Sequence, residues 1–285
     1  MASASATISF PKTSMTSFHA HLKQYKRIVA FLGAGLSSSS GLIAYHGVGT
    51  GGSRHGHEFE ALSSVKAFSE TPRIVLEYHE ERRRQARGVQ PNAAHEAIAA
   101  LARVKGSADF VAIDMNIDGL CSRAGLPKDQ NLEIHGNLFD AKCSKPDCDY
   151  FKEGFFNDEY STMARRGLPR CPRCASDLRP AVVWFGENLR KDAVDAAKAF
   201  LAKDEPIDLI LVIGTTAQVW PAAGFVDSAI DKGASVAMVN VDRGSLVPEG
   251  GALGLTAKDW YFVGDPADMV PRLLAPLIGN RYIRL

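Results

Sequence analysis

Four short runs of β-branched and aromatic residues recur along this chain, and their spacing limits the fold more than any other feature. They occupy residues 27–32, 110–113, 209–213 and 236–240. Apolar runs of this length are typical of strands that are buried on both faces. Helical periodicity fills residues 91–104, 192–203 and 222–232. Strand and helix in alternation predict an α/β fold with a doubly wound, Rossmann-like parallel sheet and right-handed crossovers.

Two stretches break this alternation and define the predicted domain organisation. Residues 49–60 are rich in glycine and histidine and lead into a predicted helix over 73–87, while residues 140–178 hold four cysteines and three prolines. We expect a flexible tail over 1–17, a helical insertion over 46–90 and a small, irregular zinc-binding module over 140–179. The Rossmann-like domain takes the remaining residues, 18–45, 91–139 and 180–285.

The composition argues against a nucleic-acid or membrane partner. The 285 residues are 46% hydrophobic and 23% charged, and the net charge is +1. So small a charge gives no field that would attract nucleic acid or an anionic membrane. No apolar run approaches the roughly 20 residues that a membrane-spanning helix needs. The oligomeric state stays open.

Four of the five cysteines fall into two close pairs, Cys143 with Cys148 and Cys171 with Cys174. Such pairs on separate turns can converge on a tetrahedral zinc ion, and four thiolates leave no open coordination position for catalysis. We therefore predict a structural Zn²⁺ site, with Cys121 as a separate, buried thiol. Cysteines used in this way indicate a reducing, intracellular compartment, although cytoplasm, nucleus and mitochondrion are not distinguished.

Small and polar residues follow three of the predicted strands at their carboxyl ends. These segments are Gly33-Ala34-Gly35, Gly214-Thr215-Thr216 and Asn240-Val241-Asp242. A glycine turn at such a position can bring backbone amides to a pyrophosphate, although Ser38 stands where the dinucleotide fingerprint has its third glycine. A plain strand-to-helix turn remains an alternative for the first segment. The three strand ends together favour a ligand crevice at one edge of the sheet.

Three further residues carry candidate chemistry. Asn116 and Asp118 follow the second predicted strand, and His135 stands between Ile134 and Gly136. A neutral imidazole is the expected group for taking a proton from a sugar hydroxyl near pH 7. Taken alone, His135 fits a packed core residue equally well. We expect all three side chains to face the same crevice.

These segments together resemble the sirtuins, the NAD-dependent protein acyl-lysine deacylases. The resemblance runs from about residue 27 to residue 264 and is closest to the branch that includes the mitochondrial desuccinylases. It is carried by PNA at 91–93, LEIHG at 132–136, VVWFGENL at 182–189 and PAA at 221–223. It implies a Rossmann-like domain and a small zinc-bearing domain, with NAD and an acylated lysine peptide meeting in the cleft between them.

The resemblance implies a role for each matching position. His135 would be the general base, with Asn116, Ile117 and Asp118 at the nicotinamide and its ribose. The rest of NAD would contact Gly33, Ala34, Gly35, Ser37, Gly214, Thr215, Thr216, Asn240 and Asp242. The acylated lysine and its peptide would bind, partly by strand addition, to Val183, Phe185, Gly186 and Glu187. Zinc would be held by Cys143, Cys148, Cys171 and Cys174.

In such an enzyme the acyl oxygen attacks the ribose carbon as nicotinamide leaves. His135 would then deprotonate a ribose hydroxyl, which attacks the resulting imidate. Free lysine, nicotinamide and O-acyl-ADP-ribose would be released.

The chain departs from the sirtuin pattern at the predicted cofactor contacts. Tyr45 and His46 stand where the family has Phe-Arg, and His46 cannot supply the five donors of an arginine. Met115 replaces a glutamine that would bind the ribose. Two alternatives to a deacylase therefore stay open: a sirtuin fold redirected to ADP-ribosyl transfer or other NAD chemistry, and a non-catalytic NAD-binding protein.

The acyl preference is also open. Alignment to the desuccinylases places His79 and Arg82 at the Tyr-x-x-Arg pair that reads an acidic acyl group, and positions three apart share a helix face. The run Arg82-Arg83-Arg84 fits a solvated helix surface equally well.

Overall fold

The computed structural model describes residues 11–42, 59–156, 167–241 and 255–284, and it contains two sheets. The larger sheet has six parallel strands: β1 (Ile28–Leu32), β2 (Phe110–Asp114), β3 (Asn131–Glu133), β7 (Leu209–Ile213), β8 (Ser235–Asn240) and β9 (Trp260–Val263). The smaller sheet has three antiparallel strands: β4 (Gly136–Cys143), β5 (Phe151–Lys152) and β6 (Leu178–Val182).

Ten α-helices connect or cover these strands in the described part of the chain. They are α1 (Met15–Leu22), α2 (Gly35–Ser38), α3 (Phe59–Leu62), α4 (Val65–Glu70), α5 (Pro72–Gly88), α6 (Ala93–Asp109), α7 (Leu120–Arg123), α8 (Lys191–Ala202), α9 (Gly224–Asp231) and α10 (Pro266–Ile278). A short 3₁₀ helix, Asn280–Tyr282, follows α10. Among these helices we find none with the length and apolar character needed to cross a membrane.

The large sheet is doubly wound, as the alternation of strands and helices predicts. Its strand order is β3-β2-β1-β7-β8-β9, so the direction of winding reverses between β1 and β7. Alternate residues of β1 enter opposite layers, with Ile28, Ala30 and Leu32 in one core and Val29 and Phe31 in the other. The first layer is covered by α1, α6 and α10, and the second by α8 and α9.

The amino-terminal boundary differs from the prediction, because residues 11–17 belong to the fold. Lys12 pairs with the outer strand β9: its amide donates to Asp259 O (2.8 Å) and its carbonyl accepts from Tyr261 N (2.9 Å). Ser14 then caps α1, which buries Phe18 and Leu22. The segment covers an otherwise open sheet edge, which the local sequence alone does not reveal. Residues 1–10 lie outside the described residues.

The two insertions also have more regular structure than predicted. Helices α3 to α5 form the helical insertion and pack with Leu138, Val182 and Trp184. The zinc module is built on the three-stranded sheet, which spans residues 136–182 rather than an irregular stretch over 140–179. Of the predicted loop over 49–60, residues 49–58 lie outside the described residues.

Candidate functional site

Three glycines bring the ends of β1 and β7 into backbone contact at the point where the winding reverses. Gly33 N donates to Ile213 O (2.9 Å), and Gly35 N donates to Gly214 O (2.9 Å). A Cβ on Gly35 would lie 2.7 Å from Gly214 Cα, and a Cβ on Gly214 would lie 2.3 Å from Leu36 N. The amides of Gly33 and Gly35 are therefore used inside the protein, contrary to the expectation that they approach a pyrophosphate. The glycine turn instead presents a backbone surface without side chains at this edge of the sheet.

The loop after β2 is fixed against the same glycine turn. Met115 N donates to Leu32 O (3.0 Å), and Asn116 Nδ2 donates to Gly33 O (3.2 Å). Asp114 Oδ1 accepts from Asn116 N and Asp118 Oδ1 accepts from Leu120 N, both at 2.9 Å. Asn116 and Asp118 are only 3% and 9% exposed. Both predicted polar residues thus lie at the carboxyl edge of the sheet, beside the glycine turn.

His135 has one ring nitrogen committed to the protein. Its Nδ1 lies 2.9 Å from Met115 O. Because a carbonyl oxygen can only accept, Nδ1 carries the proton and Nε2 is the basic nitrogen. Burial lowers the pKa of His135 below its ordinary 6.5, and the bond to Met115 opposes that shift only in part. The imidazole is therefore neutral at pH 7, and the replacement of glutamine by Met115 does not affect this backbone contact.

A second histidine, His95, belongs to the same polar network, and the sequence analysis missed it. Asn92 N donates to His95 Nδ1 (3.2 Å), so Nε2 carries the proton and faces Ser37 Oγ at 3.4 Å. Ser37 in turn hydrogen-bonds to Asp118, whose pKa is raised by burial. Burial lowers the pKa of His95 to about 4, so it acts as a neutral donor. An Asn at the N-cap of α6 with His three positions later is the local signal that could have pointed to it.

The other predicted cofactor residues lie at neighbouring strand ends. Thr215 and Thr216 are half-buried after β7, where Thr215 Oγ1 accepts from Ala217 N (3.1 Å). Asn240 ends β8, and its carbonyl accepts from Gly264 N (2.9 Å). Ala34 lies in the glycine turn, and Ile117 is buried with the core of the helical insertion. Tyr45, His46 and Asp242 lie outside the described residues.

The two predicted acyl-reading residues have different environments. His79 is 2% exposed, donates from Nδ1 to Val75 O (2.8 Å) and accepts at Nε2 from Trp184 Nε1 (3.2 Å). Burial lowers its pKa to about 3. Both ring nitrogens are occupied, so this arrangement contradicts the expectation that His79 reads a substrate carboxylate; it is a core residue.

Arg82, in contrast, is half-buried on α5, and its charge, with that of Arg123, opposes the burial-driven rise in the pKa of Asp118. Arg82 therefore lies within electrostatic reach of the crevice. The arginine run to which it belongs is not a uniform solvated surface, because Arg83 is fully buried while Arg84 is exposed and pairs with Glu81.

The segment predicted to bind the substrate peptide ends in a tight turn. Val183 N donates to His135 O (2.9 Å), so the backbones of Val183 and His135 lie side by side. Phe185 N donates to Ser63 O (3.0 Å). Glu187 N donates to Trp184 O (2.9 Å), and Gly186 has a φ of +86°, as the third position of a type II turn requires. Phe185 is 52% exposed in this turn.

The four paired cysteines converge at the end of the small sheet. Their Sγ atoms all lie within 4.8 Å of one another, with 3.4 Å between Cys143 and Cys174 and 3.8 Å between Cys148 and Cys171. Zinc–sulfur bonds of about 2.3 Å in a tetrahedron imply sulfur–sulfur distances of about 3.8 Å. The donor set and its spacing therefore fit a closed Zn²⁺ site. Cys121 lies apart from it, 2% exposed, as predicted.

Comparisons with known proteins agree with this arrangement. The model of the Sir2 family matches residues 33–221 of this chain. A curated NAD-dependent protein deacylase of Candida albicans is 33% identical over 92% of this chain and 97% of its own length. The mitochondrial NAD-dependent protein deacylase sirtuin-5 of Danio rerio is 36% identical over 81% of this chain and 79% of its own. A crystal structure of a Sir2 homologue in complex with NAD superposes with a TM-score of 0.78 at 29% identity, covering 94% of this chain and 96% of that one.

Proposed function

This chain belongs to the Sir2 family, and on that premise we propose that it is an NAD-dependent protein deacylase with His135 as its general base. It removes acyl groups from lysine side chains of proteins or peptides and releases nicotinamide and O-acyl-ADP-ribose. The single observation that carries the residue assignment is the contact between His135 Nδ1 and Met115 O, which leaves Nε2 as the basic nitrogen next to the Asn116–Asp118 loop.

The residues at the sheet edge fit a dinucleotide. NAD supplies the ribose carbon that the acyl oxygen attacks and the nicotinamide that leaves. Asn116 and Asp118 orient that ribose, and His135 Nε2 takes a proton from its hydroxyl. Ile117 lies beside them at the nicotinamide, and the close glycine turn with Ala34, Ser37, Thr215, Thr216 and Asn240 lines the remaining length of the ligand. The support is their common place at the carboxyl edge of the sheet, on both sides of the winding reversal where such ligands bind in α/β folds.

The acylated lysine enters from the side of the helical insertion. We place the side chains of Val183 and Phe185 along the acyl-lysine and the backbone of residues 185–187 along the peptide. Arg82 is the residue that would meet an acidic acyl group, because its charge reaches the crevice while the ring of His79 is buried. The resemblance of the sequence to the desuccinylase branch makes an acidic acyl group one substrate class to test.

Zinc has a structural role in this proposal, since four thiolates leave the ion no open position. It is held by the four paired cysteines, at the far end of β4 from His135. The use of four cysteines in a metal site rather than in disulfides supports a reducing, intracellular compartment.

The test is nicotinamide release from NAD by the purified, zinc-loaded protein with acetyl-lysine and succinyl-lysine peptides. Mass spectrometry should identify O-acyl-ADP-ribose as the co-product, and His135→Ala should abolish its formation. An Arg82→Met variant should lose the succinyl activity selectively. Absence of nicotinamide release with every acyl-lysine peptide would overturn the deacylase assignment. An ADP-ribosylated acceptor in place of O-acyl-ADP-ribose would identify a redirected sirtuin fold.

A further inference from the structure

We propose that Glu187 is a positioning residue, whose carboxylate holds the turn of residues 184–187 in the shape that receives the acylated peptide. The inference rests on the proposed function, because it concerns how that substrate binds. It assigns to the Glu187 side chain a role inside the protein, distinct from the backbone contacts that residues 185–187 offer to the peptide.

The carboxylate of Glu187 points away from solvent and is bound on both of its oxygens. Oε2 accepts from the amide of Trp184 (2.9 Å), which closes the turn a second time beside the Glu187 N to Trp184 O bond. Oε1 forms an ion pair with Arg179 of β6 and lies 3.5 Å from Lys142 Nζ of β4. The side chain of Glu187 is 19% exposed and that of Arg179 is 5% exposed. We call Glu187, Arg179, Lys142 and Trp184 the Glu187 cluster.

Arg179 is itself fixed by contacts on its other sides. Its guanidinium stacks on the Trp184 ring at 3.8 Å from the centroid and donates to Val182 O (3.2 Å). Trp184 is held in turn by its indole N–H, which donates to His79 of α5. The turn is thus anchored to the small sheet through Arg179 and to the helical insertion through Trp184.

This arrangement makes one orientation of Glu187 strongly favoured. Rotation of the carboxylate toward a substrate would leave the Arg179 guanidinium buried without its counter-charge, which is costly in a low-dielectric environment. It would also leave the Trp184 amide without its acceptor. The Glu187 carboxylate therefore stays with the protein, and the backbone around Gly186 is presented in a fixed geometry.

The consequence for activity is specific. Without the carboxylate, peptide binding has to order the turn as well as occupy it, so the peptide KM rises. NAD lies against other loops, and the reacting groups are untouched once peptide is bound. The KM for NAD and kcat therefore change little, in contrast to the loss expected when His135 is removed.

The experiment compares Glu187→Gln, Lys142→Met and wild type in steady-state deacylation. Glu187→Gln keeps the size of the side chain but loses its charge. It should raise the peptide KM about tenfold, and Lys142→Met, at the half-exposed rim, should raise it about threefold. The variant Asp195→Asn is the control, because Asp195 is 55% exposed and pairs only with the exposed Lys191 one turn away on α8. A peptide KM within twofold of wild type in Glu187→Gln, or a fall in kcat without a rise in KM, would overturn the proposal.

Hydrogen exchange of the Trp184 amide separates this proposal from the enzymatic assignment. In Glu187→Gln the amide should exchange about tenfold faster than in wild type and Asp195→Asn, whether or not the protein deacylates any peptide. Equal exchange in all three proteins would overturn the positioning role. Absence of nicotinamide release by wild type would overturn the deacylase function alone. Should Glu187→Gln fail to fold, the same exchange comparison with Lys142→Met decides the question.

Discussion

The basicity of His135 sets the expected pH dependence of catalysis. A general base acts only when it is unprotonated, and burial places the pKa of this imidazole below 6.5. We expect kcat/KM for NAD to be flat around pH 7 and to fall tenfold per pH unit on the acid side of that pKa. Steady-state rates between pH 5 and 8 measure the midpoint of this limb. A midpoint above 6.5 would contradict the assignment, as would an unchanged limb in the residual activity of His135→Ala.

We expect His95 to support NAD binding through Ser37 and Asp118, because hydrogen bonds join the three side chains. In His95→Ala the Ser37 hydroxyl loses its outer donor, so Asp118 is held less firmly. We expect about tenfold weaker NAD binding, the cost of one hydrogen bond near a charged group. Calorimetric titration with NAD measures it, with Glu96→Gln on the exposed face of α6 as the matched control. Equal affinities in the two variants would remove His95 from the network.

The difference between His135 and His95 shows what a sequence reveals about a site. Asn116 and Asp118 could be identified because they follow a recognisable strand end, and His135 because its imidazole lies in the LEIHG segment at 132–136 that resembles the sirtuins. The capping pattern at Asn92 could point to His95 as a residue, but not to its contact with Ser37, which is 58 positions away in the chain. For His79 the helix can be predicted from the sequence, but the rotation of that helix cannot, and the rotation buries the ring against Trp184.

At the scale of elements, a strand could be predicted where both of its faces are buried. β1, β2, β7 and β8 are uninterrupted apolar runs for this reason. β3 has three residues, too few to display a period, and its existence depends on pairing with β2. Likewise, α1 owes its place to the edge of β9 on which the preceding Lys12 pairs. Such elements are determined by distant partners rather than by their own composition.

The zinc site and the Glu187 cluster share two strands, which gives a prediction at this scale. Cys143 and Leu178 pack together in the cysteine cluster, and their immediate neighbours Lys142 and Arg179 hold Glu187. Removal of the metal should therefore weaken peptide binding before it weakens NAD binding. We expect Cys171→Ser to lose the roughly one zinc per chain that a Cys₄ site binds, and to raise the peptide KM.

Metal content, measured by mass spectrometry, and NAD affinity, measured by calorimetry, test this prediction independently of turnover. Cys121→Ala provides the control, because that buried thiol lies outside the cluster and should leave the zinc content unchanged. Loss of NAD affinity in parallel with peptide affinity would show that the metal supports the whole fold rather than the substrate side.

Across the whole molecule, His135 stands where the two sheets meet. Residues 134–135 join β3 of the large sheet to β4 of the small one, and the His135 carbonyl accepts from Val183 beyond β6. The base is therefore positioned by both sheets at once. The alternation of the buried strands and main helices can be predicted from the sequence, but the meeting of the two sheets at one histidine arises only from their packing.

His79 links the stability of the whole chain to pH, because it packs between the helical insertion and the substrate turn. Its pKa is about 3 in the folded protein and about 6.5 when unfolded. Between these values the unfolded state binds more protons, so His79 destabilises the fold as pH falls, by about 1.4 kcal/mol per pH unit. Glu133 acts in the opposite sense, since burial raises its pKa to about 7.

A comparison of wild type with His79→Gln isolates the contribution of the histidine, because the contribution of Glu133 is the same in both proteins. In urea unfolding, the stability of wild type relative to that variant should fall by about 2 kcal/mol between pH 6.5 and pH 5. A constant difference would mean that His79 is protonated in the folded protein as readily as in the unfolded chain.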